Sequence, residues 1–148
     1  RCQLKAQPVV ADALASEPEA RFDAILLDAP CSATGTIRRH PDLPFVKDAA
    51  GLKELIALQA ALLDRALGWL APGGRLVYCT CSLLPEEGEK QIAAALARDP
   101  GLAVLPPTFP DLEPGWVTPE GGVRLRPDFW PERGGMDGFF IAALHRPA

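Results

Sequence analysis

The sequence lacks any apolar run near the roughly 20 residues that cross a bilayer, and it has no charged and then apolar stretch typical of a signal peptide. Its four cysteines are not arranged in C-x-x-C pairs, which argues against a zinc site and against a disulfide framework. It also lacks a basic excess: its net charge is −4, which argues against bulk electrostatic attraction to nucleic acid. These absences predict a cytoplasmic chain with free thiols, no metal and no membrane association.

The sequence does contain enough apolar material for one packed domain. Hydrophobic residues make up 48% and charged residues 23% of its 148 residues, as in globular proteins. A chain of this length buries roughly two thirds of its unfolded surface, and it is too short for two ordinary domains. Because the first residue is Arg1 and not methionine, we expect these residues to be a piece of a longer chain.

Short apolar runs that end at polar residues predict buried strands. One covers residues 9–11 and ends at Asp12, and a stronger one covers residues 22–27 and ends at Asp28. Continuous runs of this kind are typical of strands that are buried on both faces of a parallel sheet. Further strands are predicted at residues 75–80, 123–126 and 138–144.

Helical patterns separate these strands. Leucines and alanines recur at helical spacing over residues 52–70, until Pro72-Gly73-Gly74 stops the pattern. A second helix is predicted from Pro85 to about Arg98, with acidic residues in its first turn. This alternation predicts an α/β fold with a parallel sheet, and prolines between residues 106 and 119 predict an irregular segment over residues 106–136.

Three polar clusters follow predicted strands, and the carboxyl ends of parallel strands are where open α/β sheets bind ligands. The clusters are Asp12, the segment DAPCSATG at residues 28–35 and the segment TCS at residues 80–82. A thiolate is soft and strong enough to add to an electron-poor pyrimidine ring, and an acid can hydrogen-bond the ring nitrogen that gains electron density. Two cysteines and an acid at adjacent strand ends therefore suggest nucleophilic catalysis, although a buried cysteine at a strand end is more often a small core residue than a nucleophile.

Long motifs connect the chain to a known family. DAPCSATG with the following IRRHPD at residues 37–42, YCTCSLLPEEGE at residues 78–89 and DGFF at residues 137–140 resemble motifs of the Nol/Nop/Sun family of RNA cytosine-C5 methyltransferases, in its bacterial Sun/RsmB-like branch. The resemblance covers nearly all of the chain. It implies a class I, Rossmann-like fold, S-adenosylmethionine as cofactor and small-subunit ribosomal RNA as substrate, with residues 1–148 forming part of the catalytic domain.

The resemblance also implies roles for single residues. Cys81 matches the nucleophile that adds to C6 of cytosine, and Cys31 matches the second cysteine, which assists product release. Asp28 matches the acid that contacts the cytosine ring edge and lies beside the cofactor, so the resemblance assigns it to catalysis and to cofactor binding. Asp12 matches the acid that binds the adenine amino group of the cofactor. Asp12 and Asp28 can also be read as ordinary helix caps.

The roles of two smaller groups of residues have more than one interpretation. Arg38 and Arg39, after the DAPCSATG segment, can contact RNA phosphates or simply form a solvated loop. Cys79 is interpreted as core packing, and Cys2 is given no role.

The glycine-rich turn and the second-strand acid that usually begin a domain of this class have no counterpart here. We therefore expect its first two strands to be missing, which leaves one side of the strand at residues 22–27 without a neighbour. An apolar edge of this kind predicts aggregation, dimerisation or cover by further sequence.

Two other functions are compatible with the same residues. One is a DNA cytosine-C5 methyltransferase, in which Cys31 of the Pro-Cys pair would be the nucleophile. The other is a catalytically silent fragment that serves as a binding or structural module.

Overall fold

The computed structural model describes residues 5–46 and 49–147. Within these ranges, no helix is both long and apolar enough to cross a membrane. Short 3-10 turns lie at Thr34–Thr36, Pro85–Glu87, Pro114–Trp116 and Pro131–Arg133. The helices and strands, in chain order, are β1 (Phe22–Asp28), α1 (Leu43–Val46), α2 (Ala49–Gly68), β2 (Leu70–Thr80), α3 (Glu89–Arg98), β3 (Ala103–Leu105), β4 (Val123–Leu125) and β5 (Phe139–His145).

The strands form one mixed sheet in the order β1-β2-β5-β3, with β4 also paired to β5. β1 and β2 are parallel, whereas β5 runs antiparallel to β2, β3 and β4. The predicted α/β class is confirmed, but the prediction of a parallel sheet is wrong for every pair except β1–β2. A parallel pair needs a long crossover, which α2 supplies between β1 and β2, and the described connections among β3, β4 and β5 contain no such helix.

The apolar face of α2 explains why this segment is helical. Leu63, Ala66 and Leu67, at positions i, i+3 and i+4, are buried, so one stripe of the helix faces the core. The Pro72-Gly73-Gly74 segment was predicted to end the helix, but α2 ends earlier, at Gly68, and these residues lie inside β2. There they fall at an irregularity in the pairing with β1, where Phe22 faces Leu70 but Ala24 faces Arg75.

The core lies where β2 and β5 meet the helices. Tyr78, Leu76 and Phe140 are fully buried, and the rings of Tyr78 and Phe140 meet edge to face with centroids 6.5 Å apart. Ile92 of α3 is also fully buried. The close packing of these buried side chains fixes the last residues of β2. It therefore also fixes the backbone that leads into Cys81.

The strand predicted at residues 9–11 is not formed. These residues have no regular structure, and the side chains of Val9 and Val10 are 77% and 103% exposed. A strand is stable only when its backbone groups pair with a neighbour, and among the described residues no strand pairs with this segment. The apolar pattern of residues 9–11 therefore has no strand to pair with in the described part of the chain.

β1 lies at the edge of the sheet, with β2 as its one neighbour among the described strands. Leu26 is 72% exposed, and Phe22 is also exposed. The prediction that this strand is buried on both faces is wrong, because its side chains are exposed or half-buried. An exposed apolar edge was expected from the sequence, and self-association through it stays a prediction.

The segment at residues 106–136 is irregular, apart from the short β4 and two 3-10 turns. An aromatic cluster packs within it: the Trp116 ring stacks on Phe129 at 5.6 Å and meets Trp130 edge to face at 4.9 Å. Trp130 also donates a hydrogen bond to Glu113 over 2.7 Å. The segment thus has packing of its own, and its assignment as an insertion stays a prediction.

Candidate active site

Two thiols meet at the carboxyl ends of β1 and β2. These strands are parallel neighbours, and Asp28 at the end of β1 lies opposite Cys79 near the end of β2. Cys81 directly follows β2, Cys31 follows β1 after Ala29 and Pro30, and the two sulfur atoms are 3.5 Å apart. Both side chains are half-buried, so the pair is reachable from solvent. The structure therefore brings together two residues that are 50 positions apart in the sequence.

Backbone hydrogen bonds join the segments around the thiols. The amide of Gly35 donates to the carbonyl of Cys81 over 2.9 Å, and the amide of Gly138 donates to the carbonyl of Gly35 over 2.8 Å. The amide of Leu83 donates to the hydroxyl of Thr34 over 2.9 Å. The DAPCSATG segment, the TCS segment and the start of DGFF are thus held as one unit.

A fully buried carboxylate, that of Glu87, bonds to both thiol loops, which are the DAPCSATG segment with Cys31 and the TCS segment with Cys81. Its Oε1 accepts hydrogen bonds from the Ser32 amide and from Gln59 Nε2, both over 2.9 Å. Its Oε2 accepts from the hydroxyls of Ser32 and Ser82, both over 2.5 Å. Sequence reasoning placed Glu87 only in the first turn of a helix, and its position inside the YCTCSLLPEEGE motif was the one signal that could have drawn attention to it.

A second layer of hydrogen bonds surrounds Glu87. Its backbone carbonyl accepts from the hydroxyls of Tyr78, over 2.9 Å, and Thr80, over 3.1 Å. Gln59 of α2 also donates to the carbonyl of Pro30 over 2.8 Å, directly before Cys31. These polar side chains are buried and have partners, as a preorganised site requires.

Asp28 contacts Cys79, which is not one of the half-buried pair Cys31 and Cys81. Its carboxylate is exposed, and Oδ1 lies 3.7 Å from the sulfur of Cys79. Burial, followed by the charge of Asp28, raises the pKa of Cys79 to about 11. Cys79 is itself buried, as predicted for a core residue.

Burial also acts on the first thiol of the pair. It raises the pKa of Cys31 from an ordinary value of 9.0 to about 12, and the contact with Cys81 contributes to the increase. Cys31 is therefore a neutral thiol at physiological pH. In that form it can donate a hydrogen bond to the sulfur of Cys81.

This pKa shift predicts a loss of stability at alkaline pH. The folded-state pKa of Cys31 is raised, so its contribution to stability is complete below about pH 9 and decreases as pH rises from about 9 towards 12. We expect the urea midpoint of a Cys31→Ala variant to fall less between pH 8.5 and 10.5 than that of the unmodified protein. Parallel slopes for the two proteins would contradict the shift.

The remaining predicted site residues have protein partners. Asp12 accepts a hydrogen bond from the Leu14 amide over 2.9 Å, so it caps a turn. Arg38 donates to the carbonyl of Gly134 over 2.7 Å, and Arg39 pairs with Asp137 over 2.7 Å. The two arginines thus connect the first thiol loop with the segment before β5.

Cys2 lies outside the described residues. Among residues 5–46 and 49–147, no group of three or more histidine, cysteine or acidic side chains could hold a metal ion.

Solved structures share this architecture. A methyltransferase homologue from Pyrococcus horikoshii is 37% identical, with a TM-score of 0.67, over 86% of this chain and 40% of that structure. NSun6 from the same organism, determined with SFG, is 29% identical, with a TM-score of 0.77, over 95% of this chain and 34% of that structure. The sheet and these likenesses define the class: the chain has part of the class I, Rossmann-like methyltransferase fold.

The sequence comparisons then identify the family. The profile of 16S rRNA methyltransferase RsmB/F matches residues 5–145, so the chain belongs to the RsmB/F family. Ribosomal RNA small subunit methyltransferase B of Salmonella newport (strain SL254) is 49% identical over 126 residues, which are 85% of this chain and 27% of the relative. The protein of the same name from Shewanella oneidensis is 42% identical over 97% of this chain and 32% of its own length. The chain thus spans about a third or less of these relatives.

Proposed function

We propose that this chain, together with the remainder of a catalytic domain of the kind its relatives possess, transfers a methyl group to C5 of a cytosine in RNA. Cys81 is the nucleophile, and small-subunit ribosomal RNA is the substrate class, as in the names of the relatives. The single observation that supports this most is the pair of sulfur atoms 3.5 Å apart at the ends of two parallel strands, in a chain of the RsmB/F family.

The proposed reaction begins when the thiolate of Cys81 adds to C6 of the cytosine ring. This addition makes C5 nucleophilic, so that C5 can bond to the methyl group while the bond from that methyl group to the sulfonium sulfur of its donor breaks and leaves a neutral thioether. A base then removes the C5 proton, and the bond between C6 and Cys81 breaks to return the thiolate. The ring must leave its stack to reach a half-buried thiol, so the target cytosine is unpaired or flipped out.

The second thiol has a distinct role in this scheme. Cys31 remains protonated, because its pKa is raised to about 12 by burial, and it can donate a hydrogen bond to Cys81. A donor at this position stabilises the Cys81 sulfur as an anion, both before addition and as the leaving group at the last step. This is a physical reason for Cys31 to assist product release. It also makes Cys31 a poor nucleophile, which disfavours the DNA-type alternative.

S-adenosylmethionine supplies the methyl group as an electrophilic sulfonium, and the structure of a relative determined with an analogue, SFG, supports this choice. Asp28 suits the contact proposed for it, because its exposed carboxylate lies at the end of β1, beside the thiol loops. Asp12 is also exposed, and we keep it as the proposed contact to the adenine. Arg38 and Arg39 remain proposed RNA contacts, although each already has a protein partner.

The test is to incubate the intact protein with unmodified small-subunit ribosomal RNA and methyl-labelled S-adenosylmethionine, and to digest the RNA to nucleosides. We expect the label in 5-methylcytidine. Label in another nucleoside would contradict the cytosine-C5 assignment. No labelled RNA, combined with no heat of cofactor binding in calorimetric titration, would favour the silent module instead.

A further inference from the structure

We propose that Glu87 is a positioning residue for methyl transfer: its buried carboxylate holds the residue after Cys31 and the residue after Cys81, and thereby sets the separation of the two sulfur atoms. The kinetic part of this inference depends on the function proposed above. The geometric part does not.

The hydrogen bonds of Glu87 connect the two loops almost symmetrically. Ser32 directly follows Cys31 and donates to Glu87 through both its amide and its hydroxyl. Ser82 directly follows Cys81 and donates to Glu87 through its hydroxyl. One carboxylate therefore fixes the backbone next to each thiol, and any movement of Glu87 changes both loops together.

Because Glu87 is fully buried, its carboxylate is unfavourable at this position unless all of its hydrogen bonds are formed. The four donors described above are all uncharged, so hydrogen bonds must replace the water that the carboxylate loses. A carboxylate that accepts several such bonds is held firmly, because losing one leaves a buried polar group without a partner. A surface glutamate would not fix two loops in this way.

The charge of Glu87 acts on the thiol of Cys31 as well. Burial is the main cause that raises the pKa of Cys31, and the charge of Glu87 adds to it in the same direction. Glu87 thus favours the neutral form of Cys31, which is the form that can donate to Cys81.

The test uses a Glu87→Gln variant of the intact protein. Glutamine keeps the shape of the side chain, but its amide nitrogen replaces one carboxylate oxygen. This nitrogen is a hydrogen-bond donor, and it would face groups that are themselves donors to Oε1 or Oε2. Glu86→Gln is the matched control, because it is the same change one residue earlier, at an exposed side chain whose partner is Lys90. A Ser82→Ala variant removes one of the four bonds and leaves the charge in place.

We expect Glu87→Gln to lower kcat for RNA methylation by about 10- to 100-fold, since misplacing reacting groups by about 1 Å has an effect of this size. The KM values for RNA and cofactor should change by less than about threefold, because Glu87 is fully buried and offers no exposed surface to a ligand. Glu86→Gln should retain the kcat of the unmodified protein, and Ser82→Ala should lie between the two.

A second readout reports the thiol separation without requiring methylation. Diamide takes two electrons and two protons from the Cys31 and Cys81 thiols, which become a disulfide while diamide is reduced to its hydrazine. We expect this disulfide to form at least about tenfold more slowly in Glu87→Gln than in Glu86→Gln. The measurement is mass spectrometry of peptides that are prepared without reductant.

Unchanged disulfide formation in a folded Glu87→Gln variant would overturn the proposal, as would an unchanged kcat in a protein that methylates RNA. If the unmodified protein methylates nothing, the function proposed above fails, and the diamide rates still decide the geometric part. If Glu87→Gln does not fold, Ser82→Ala takes its place in both measurements, and equal rates to Glu86→Gln would again overturn the proposal.

Discussion

In a Cys81→Ala variant of the intact protein, the rate of methyl transfer to RNA should fall by at least about 10⁴-fold. Without the nucleophile the covalent adduct cannot form, so the whole covalent pathway is lost. Binding of S-adenosylmethionine should remain within about threefold, since the proposed cofactor contacts are at Asp12 and Asp28. The measurement is single-turnover transfer of labelled methyl groups, with calorimetric titration of the cofactor as the control for folding.

The matched change at the other thiol should have a different signature. Cys31→Ala removes the group that can hydrogen-bond the departing sulfur, 3.5 Å away, so addition continues while elimination slows. We expect a covalent complex of protein and RNA to accumulate in this variant, visible on a denaturing gel and mapped to Cys81 by mass spectrometry. An adduct at Cys31 in the Cys81→Ala variant would reverse the two roles and would favour the DNA-type mechanism.

The strand ends of this site could be predicted from the sequence because they depend on local patterns. Apolar runs ending at Asp28 and before Cys81 marked β1 and β2, and α2 between them indicated a parallel crossover. Two parallel neighbours bring their carboxyl ends to one edge of the sheet. The proximity of Cys31 and Cys81 follows from that arrangement, with no knowledge of other strands.

The features that were not predicted depend on partners far away in the sequence. The antiparallel direction of β5 is set by which neighbour it pairs with, and its own apolar run carries no such information. The run at residues 9–11 has a strand pattern but no partner among the described strands. Glutamate is usually exposed, and propensity alone assigns Glu87 to a helix start, whereas its buried carboxylate is stabilised by hydrogen bonds from Ser32, 55 positions away.

Gly35 is the position at which a small change should disturb both thiol loops most strongly. A Cβ atom added there would lie 2.0 Å from the carbonyl oxygen of Gly138 and 2.9 Å from that of Cys81. Both obstacles are backbone atoms, which cannot rotate away as a side chain could. A Gly35→Ala variant must therefore separate the DAPCSATG segment from Gly138, just before β5, or from the TCS segment, and it must lengthen the hydrogen bonds that Gly35 makes with both.

We expect Gly35→Ala to lower the free energy of unfolding by about 3 kcal/mol or more, at the upper end of what overpacking costs. Gly68→Ala is the matched control, because a Cβ at this last residue of α2 meets nothing within 4 Å. Alanine is the better helix former, so that variant should be unchanged or more stable by up to about 1 kcal/mol. Urea unfolding of both variants, together with the rate of diamide crosslinking between Cys31 and Cys81, measures the effect on the fold and on the thiol pair. Equal stability of the two variants would show that Gly35 does not pack against Gly138 and Cys81 as closely as this geometry requires.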